Sequence, residues 1–250
     1  GETAKILCPD KKVLVPDLNA GCSLADSCPA EDFKKFVENN PGYTVISYVN
    51  TSAAVKAVTD VVVTSTNARQ IVESFPAEEK IIFGPDRNLG NYINSITGRN
   101  MKLWDGACHV HEEFSLEKIL DLKKQYPDAL ILAHPECKKV ILMLADKIGS
   151  TAALLKYATE SSAKKFIVAT ESGILHEMKK SNPDKTFIPA PPNDSTCACN
   201  ECNFMRLNTM KKLYLTLKNE LPEIKVDKDI ADRAVLPIKK MLDISSKLGL

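Results

Sequence analysis

At 250 residues, with 44% of side chains apolar, the chain is long enough for one large domain or two to three small ones. Lys plus Arg (33) balance Asp plus Glu (32), so no charge excess points to nucleic acid, an anionic membrane or an acidic tail. No apolar run approaches the roughly 20 residues of a membrane span, and residues 1–10 lack the basic-then-apolar order of a signal peptide. A soluble, non-exported protein is expected.

In chain order, apolar strand-like runs begin at Lys12 (VLVP), Thr44 (VISYV), Lys80 (IIFG), Ala129 (LILAH) and Lys165 (FIVAT). Each is the continuous kind that is buried on both faces of a parallel sheet. Between and after them, residues 32–38, 116–125 and 207–220 show apolar side chains at three- and four-residue spacing beside charged ones, which predicts helices. Residues 231–250 predict an amphipathic closing helix with Val235, Leu236, Ile238, Met241, Leu242 and Ile244 on its buried side. Alternating strands and helices predict an α/β fold with parallel sheets.

The order of elements repeats. Strands ending in proline-containing loops precede Cys22, Cys108 and Cys202. A second kind of strand ends at Tyr48 to Asn50, at His134 to Glu136 and at Thr170–Glu171, and each is followed by a helical segment. Three similar α/β units are expected: residues 1–75 hold part of the first and the start of the second, 76–158 the unit carrying Cys108, and 159–250 the unit carrying Cys202 with the closing helix, with boundaries approximate and units free to interleave. Each unit would contribute one cysteine near strand carboxyl ends, where open α/β sheets place their sites.

Eight cysteines would suit four disulfides, but disulfide-dense chains are small, secreted and core-poor. Ligation or catalysis is the better use. The run Cys197, Cys199, Cys202 suits zinc, an iron–sulfur cluster or a redox disulfide. Cys22 and Cys108 each follow small residues, which leaves the backbone free to approach an inorganic core. Taken one at a time, either suits an inert buried thiol. Three sulfurs, one per unit, are one short of saturating a four-iron cluster, and an iron left without a thiolate can bind substrate. A thiol redox or zinc module built on Cys197, Cys199 and Cys202 alone is the alternative.

Eight segments in this order resemble the quinolinate synthase family: PDLNAGCSLAD (16–26), YVNTSAAVKA (48–57), VVTSTNA (62–68), GPDRNLGNYI (84–93), WDGACHVHEEF (104–114), AHPEC (133–137), GSTAALL (149–155) and CNECNFM (199–205). The resemblance implies three pseudo-equivalent, three-layer α/β domains around a central 4Fe-4S cluster ligated by Cys22, Cys108 and Cys202. It implies a cytoplasmic transferase of NAD biosynthesis that condenses iminoaspartate with dihydroxyacetone phosphate to quinolinate. L-Aspartate oxidase would be its metabolic partner, with no nucleic acid or membrane involved. Cys28 competes with Cys22 as the first ligand. A disulfide between Cys197 and Cys199, the family's pattern at wider spacing, is disfavoured by the short loop. Family members also carry an upstream His-x-Tyr-Gln motif that nothing before Lys5 matches, so the chain as given is expected to be incomplete as a catalyst.

That chemistry needs proton transfer, assigned to Tyr48, His134 and Glu136. It needs anion recognition, assigned to Ser65, Ser150 and Thr151 at predicted helix starts, where helix capping is the competing use. Asn50 is assigned to a substrate carboxylate or carbonyl, and His111 to the cluster or product. His109 is given no role, and Trp104 is expected to pack in the core.

Overall fold

The computed structural model describes residues 1–194 and 201–250. Its polypeptide divides into two units, residues 1–106 with 203–250, and residues 107–202. The first holds a four-stranded parallel sheet of β1 (Thr44–Tyr48), β2 (Val61–Val63), β3 (Ile81–Gly84) and β4 (Lys102–Leu103), in the order β2-β1-β3-β4. The second holds β5 (Leu130–Ala133), β6 (Lys147–Ile148), β7 (Lys165–Ala169) and β8 (Thr186–Pro189), in the equivalent order β6-β5-β7-β8.

Both sheets are covered on two faces, as parallel sheets require. Successive side chains of a strand point to opposite faces. In the first sheet Ile46, Tyr48, Ile81 and Phe83 enter one apolar cluster, while Val45 and Ile82 enter another with Phe33 and Val55. In the second, Ile131, Ala133, Ile167 and Ala169 face one cluster, and Leu132, Phe166 and Val168 the other. The α/β fold with parallel sheets is therefore as expected from the apolar runs, and the layering of each unit as the family resemblance implies. The divisions expected after residues 75 and 158 each pass between strands of one sheet. The first separates the helix Ala68–Glu73 from β3, and the second cuts the helix Thr151–Glu160, because each sheet spans both sides of the division.

The two sheets share a register. The pairs Ile46/Val61 and Ser47/Val62 correspond to Leu132/Lys147 and Ala133/Ile148, each 86 residues later. The same offset relates two pairs of short helices, Ser23–Asp26 to His109–Glu112 and Ala53–Lys56 to Lys139–Leu142. It also relates one polar clip. Asp60 accepts from Val45 N (2.7 Å) and its own N–H donates to Val45 O (2.9 Å), while Asp146 does the same with Ile131 at 2.7 and 2.9 Å.

Two expectations are corrected. The run after Lys12 joins no sheet; Leu14 makes an isolated antiparallel bridge to Glu223, and Ile224 N donates to Val13 O at 2.8 Å. The closing helix is Lys228–Lys247, and its buried residues are Ala234, Pro237, Ile238 and Met241, with Val235 and Ile244 partly covered. Leu236 is 64% exposed and Leu242 50%, because they lie off the 3.6-residue stripe that the helix turns inward. Among the described residues no helix is long and apolar enough to cross a membrane.

Candidate functional site

In the order β6-β5-β7-β8 the chain leaves β5 in one direction and returns on its other side, so the carboxyl ends of β5 and β7 flank a topological switch point, the usual place for a site. His134 and Glu136 follow β5, and Thr170 follows β7. The short helix His109–Glu112, with Cys108 at its N-cap position, brings His111 to the same point. His111, His134, Glu136 and Thr170 are all buried and Cys108 is half-buried.

The side chains form one connected set. His111 Nδ1 lies 3.0 Å from Glu136 Oε2, and its Nε2 lies 3.1 Å from Thr170 Oγ1. The ring of His111 stacks on that of His134, centroids 4.6 Å apart and planes inclined by 21°. Glu136 N donates to His134 Nδ1 at 3.3 Å, and Glu136 Oε1 is 3.8 Å from the same nitrogen. Donor atoms of Cys108, His111 and Glu136 lie within 4.8 Å of one another, a group able to hold a metal ion.

The two stacked histidines are pushed in opposite directions. Burial disfavours the His111 cation, but its close contacts with Cys108 and Glu136 and their charges outweigh it and raise the ring to about 10. His134, with burial unopposed by an equal partner and a cationic His111 beside it, is lowered to about 4. At neutral pH His111 is therefore an imidazolium and His134 a neutral ring. Since His134 Nδ1 accepts from Glu136 N, its proton sits on Nε2. One buried site thus holds an ion pair and, against it, a neutral donor.

The predicted pair His134 and Glu136 does meet, though not by strand alternation. The strand ends at Ala133, and a turn over residues 134–137 carries both side chains inward. In the same unit Ser150 caps the helix Thr151–Glu160, its Oγ accepting from Ala153 N at 3.3 Å, with Thr151 the first helical residue. Cys202 is half-buried, and its N–H donates to Glu171 Oε1 at 3.3 Å. Cys197 and Cys199 lie outside the described residues.

In the first unit Tyr48 ends β1 in the core and Asn50 is exposed in the turn that follows. Offset by 86 residues, Tyr48 corresponds to His134, Asn50 to Glu136 and Cys22 to Cys108. Cys22 and Cys108 are both half-buried N-cap residues of four-residue helices. Cys28 is 1% exposed and burial pushes its thiol up to about 12, the state of an inert core residue. The glycines that precede the two half-buried sulfurs differ in their surroundings. A Cβ on Gly21 would make only ordinary contact with Phe204 at 3.8 Å, whereas one on Gly106 would strike Pro85 O at 2.6 Å, so Gly106 answers to local packing. Ser65 sits in a turn ahead of the helix Ala68–Glu73, whose N-cap residue is Asn67. Trp104 stands edge-on to Phe33 and Phe36 and donates to Ser27 O at 2.9 Å, the packing role expected.

Thr170 carries no signal of its own, since a threonine at a strand end is ordinary until the fold sets it against His111. Lys56 escapes notice for the opposite reason: a lysine in a helical run reads as solvated, yet this one is 1% exposed.

A sequence model of the family described as quinolinate synthetase A protein matches residues 1–243. The chain belongs to the quinolinate synthetase A family. Among curated relatives, the quinolinate synthase of Chloroherpeton thalassium is 56% identical over 244 residues, covering 98% of this chain and 76% of that protein. Those of Microcystis aeruginosa and Thermosynechococcus vestitus are 57% and 55% identical over the same length and shares. The quinolinate synthetase A family gives the buried set its chemical context: the elements carrying Cys108, His111, His134 and Glu136 all fall within the matched residues.

Proposed function

We propose that this chain is a quinolinate synthase, a transferase that condenses iminoaspartate with dihydroxyacetone phosphate to quinolinate on the route to NAD. The observation that carries the reading is the buried His111–Glu136–His134 set at the switch point of a parallel sheet, in a chain of this family. Iminoaspartate would come from L-aspartate oxidase, and the enzyme would work in the cytoplasm.

The same proposal includes a 4Fe-4S cluster ligated by Cys22, Cys108 and Cys202. The donor set fits: Cys22 and Cys108 occupy equivalent half-buried positions on the two sheets, Cys202 is half-buried, and the competing Cys28 is sealed in the core. When bound, the cluster supplies an iron without a protein thiolate, a Lewis acid toward substrate oxygen.

The chain's own groups supply the rest. The Glu136 carboxylate, paired with the His111 imidazolium, takes a proton from the carbon that forms the new bond. The neutral His134 donates its Nε2 proton to a carbonyl or departing hydroxyl, and the Tyr48 phenol serves as a second acid. Asn50 offers both an amide donor and a carbonyl acceptor to a substrate carboxylate. Thr151, Ser150 and the first amides of the helix Thr151–Glu160 suit an anionic substrate group, and Ser65, ahead of the helix Ala68–Glu73, is a separate candidate for the same kind of contact. His111 holds the acid–base pair in register through Thr170.

Anaerobic purification tests this. A brown protein with four iron and four sulfide per chain is expected, with quinolinate formed from the two substrates by the full-length protein that carries an upstream His-x-Tyr-Gln segment and not by residues 1–250 alone. Cys22→Ala, Cys108→Ala and Cys202→Ala should each lose the visible absorbance, while Cys28→Ala keeps it. A colourless protein holding one zinc at Cys108, His111 and Glu136 would overturn the cluster.

A further inference from the structure

Lys56 has a fully buried side chain and takes no part in the chemistry described so far. Its Nζ donates to Val49 O at 2.9 Å, to Thr51 O, and to Thr51 Oγ1 at 3.3 Å. Thr51 Oγ1 in turn donates to Tyr48 O at 3.0 Å. Every backbone carbonyl around Asn50, from Tyr48 to Thr51 with Asn50's own excepted, is thereby drawn into one hydrogen-bonded knot centred on a single ammonium. Asn50 itself stays exposed.

Burying an ammonium is costly unless its donors are satisfied. Burial lowers the Lys56 ammonium to about 8, opposed by the charge of the Glu2 carboxylate, which accepts from Ala53 N at 2.8 Å, and three acceptors meet its three N–H donors. The fold does not require this lysine. In the second unit the matching helix Lys139–Leu142 carries Leu142 at the place of Lys56, 86 residues later, packed partly buried against the apolar cluster. There the turn after β5 is held by different contacts: Glu136 N to His134 Nδ1, and Cys137 Sγ to Ala169 O at 3.3 Å. The same backbone position is thus apolar where the turn ties itself, and a lysine where the turn carries Asn50.

We propose that Lys56 is a positioning residue, an internal cation that fixes the turn from Val49 to Thr51 and so presents Tyr48 and Asn50 to substrate. The inference rests on the reading of Tyr48 and Asn50 given above. Lys56 touches no substrate; it sets the backbone from which Asn50 reaches one.

Two variants of the anaerobically purified, cluster-loaded enzyme, Lys56→Met and Asn50→Ala, are combined in a double-mutant cycle on KM and kcat for both substrates. Lys56→Met keeps the stem and removes the donors. It should lower kcat/KM by about ten- to a hundredfold, through KM for the substrate that Asn50 holds, because a displacement of about 1 Å has that scale of effect. Adding Asn50→Ala to Lys56→Met should then cost little more, since the two act as a unit. Amide exchange at residues 49–52, followed by mass spectrometry, should speed up in Lys56→Met while β3 stays protected.

Unchanged kinetics in Lys56→Met alongside an impaired Asn50→Ala would overturn the positioning role and leave the site reading standing. Losses that multiply in the double variant would overturn it equally. Wild-type kinetics in Asn50→Ala would remove the site reading, and the inference with it. If Lys56→Met does not fold, Thr51→Val takes its place in the cycle, removing the hydroxyl that links Nζ to Tyr48 O, and the same coupling with Asn50→Ala decides the matter.

Discussion

The turn after β1 and the turn after β5 occupy the same place on two sheets of one register, and they are stabilised in different ways. The first is neutral, with Tyr48 buried at the strand end and Asn50 exposed, and is tied from within by the buried Lys56. The second turns its charge inward, where the His111–Glu136 pair is backed by a neutral His134 and by Thr170. All four histidines of the chain lie in the second unit. The scaffold fixes where a side chain emerges, and the identity of one or two residues decides whether that place is neutral or charged.

The contrast breaks most directly at Glu136. Glu136→Gln preserves the shape of the second turn and removes its anion, so kcat should fall by roughly 10²–10⁴-fold with the circular dichroism spectrum unchanged. An active Glu136→Gln enzyme would leave the two turns functionally alike.

A second difference lies in the closing helix, which completes the core of the first sheet. Ile238→Ala should cost about 2–5 kcal/mol as a core truncation, whereas Leu236→Ala, on the exposed face, should stay within about 0.5 kcal/mol. Thermal unfolding separates them.

The shared part of the scaffold is probed at the two aspartate clips. Asp60→Ala and Asp146→Ala each strip a backbone N–H of its carboxylate partner and should each lower unfolding free energy by about 1–3 kcal/mol. Urea titration reads both, and clearly unequal losses would show that the matching registers do not carry matching energetics.

The charge asymmetry has a pH signature, the most gradual of these effects. The folded His134 sits near 4 against an ordinary value of 6.5, so between those values the unfolded chain holds a proton that the folded one does not. Stability therefore falls as pH drops through that window. The folded His111 sits near 10, so its stabilisation is complete below 6.5 and is lost as pH rises toward 10. The urea midpoint should peak near pH 6.5, and His134→Gln should flatten the acid side alone.

Most of this architecture can be read in the sequence, because strands buried on both faces leave long apolar runs such as VISYV and FIVAT. Short elements leave none: β4 and β6 have two residues each, and the run after Lys12 has the composition of a strand without a neighbour to pair with. On the closing helix, apolarity alone marks Leu236 and Leu242, and only the helical phase separates them from Ile238. Of the site, His134 and Glu136 are legible as chemistry. Their contact with His111 and Thr170 is not, since it depends on how the helix His109–Glu112 and the end of β7 are brought to the end of β5. Lys56 is the extreme case, a charge whose burial no local pattern announces.

The closing helix also bears on the order in which the molecule can be completed. Ala234, Ile238 and Met241 share a cluster with Ile46, Tyr48 and the whole of β2, so the sheet of residues 44–103 has its core finished by residues made only after the whole of the second unit. The second unit, residues 107–202, is continuous and waits for nothing. Synthesis thus runs opposite to completion: the later half can fold first, while the earlier sheet keeps an apolar face uncovered through the translation of more than a hundred residues. The strand that presents Tyr48 reaches its final packing only once residues 234–241 are made.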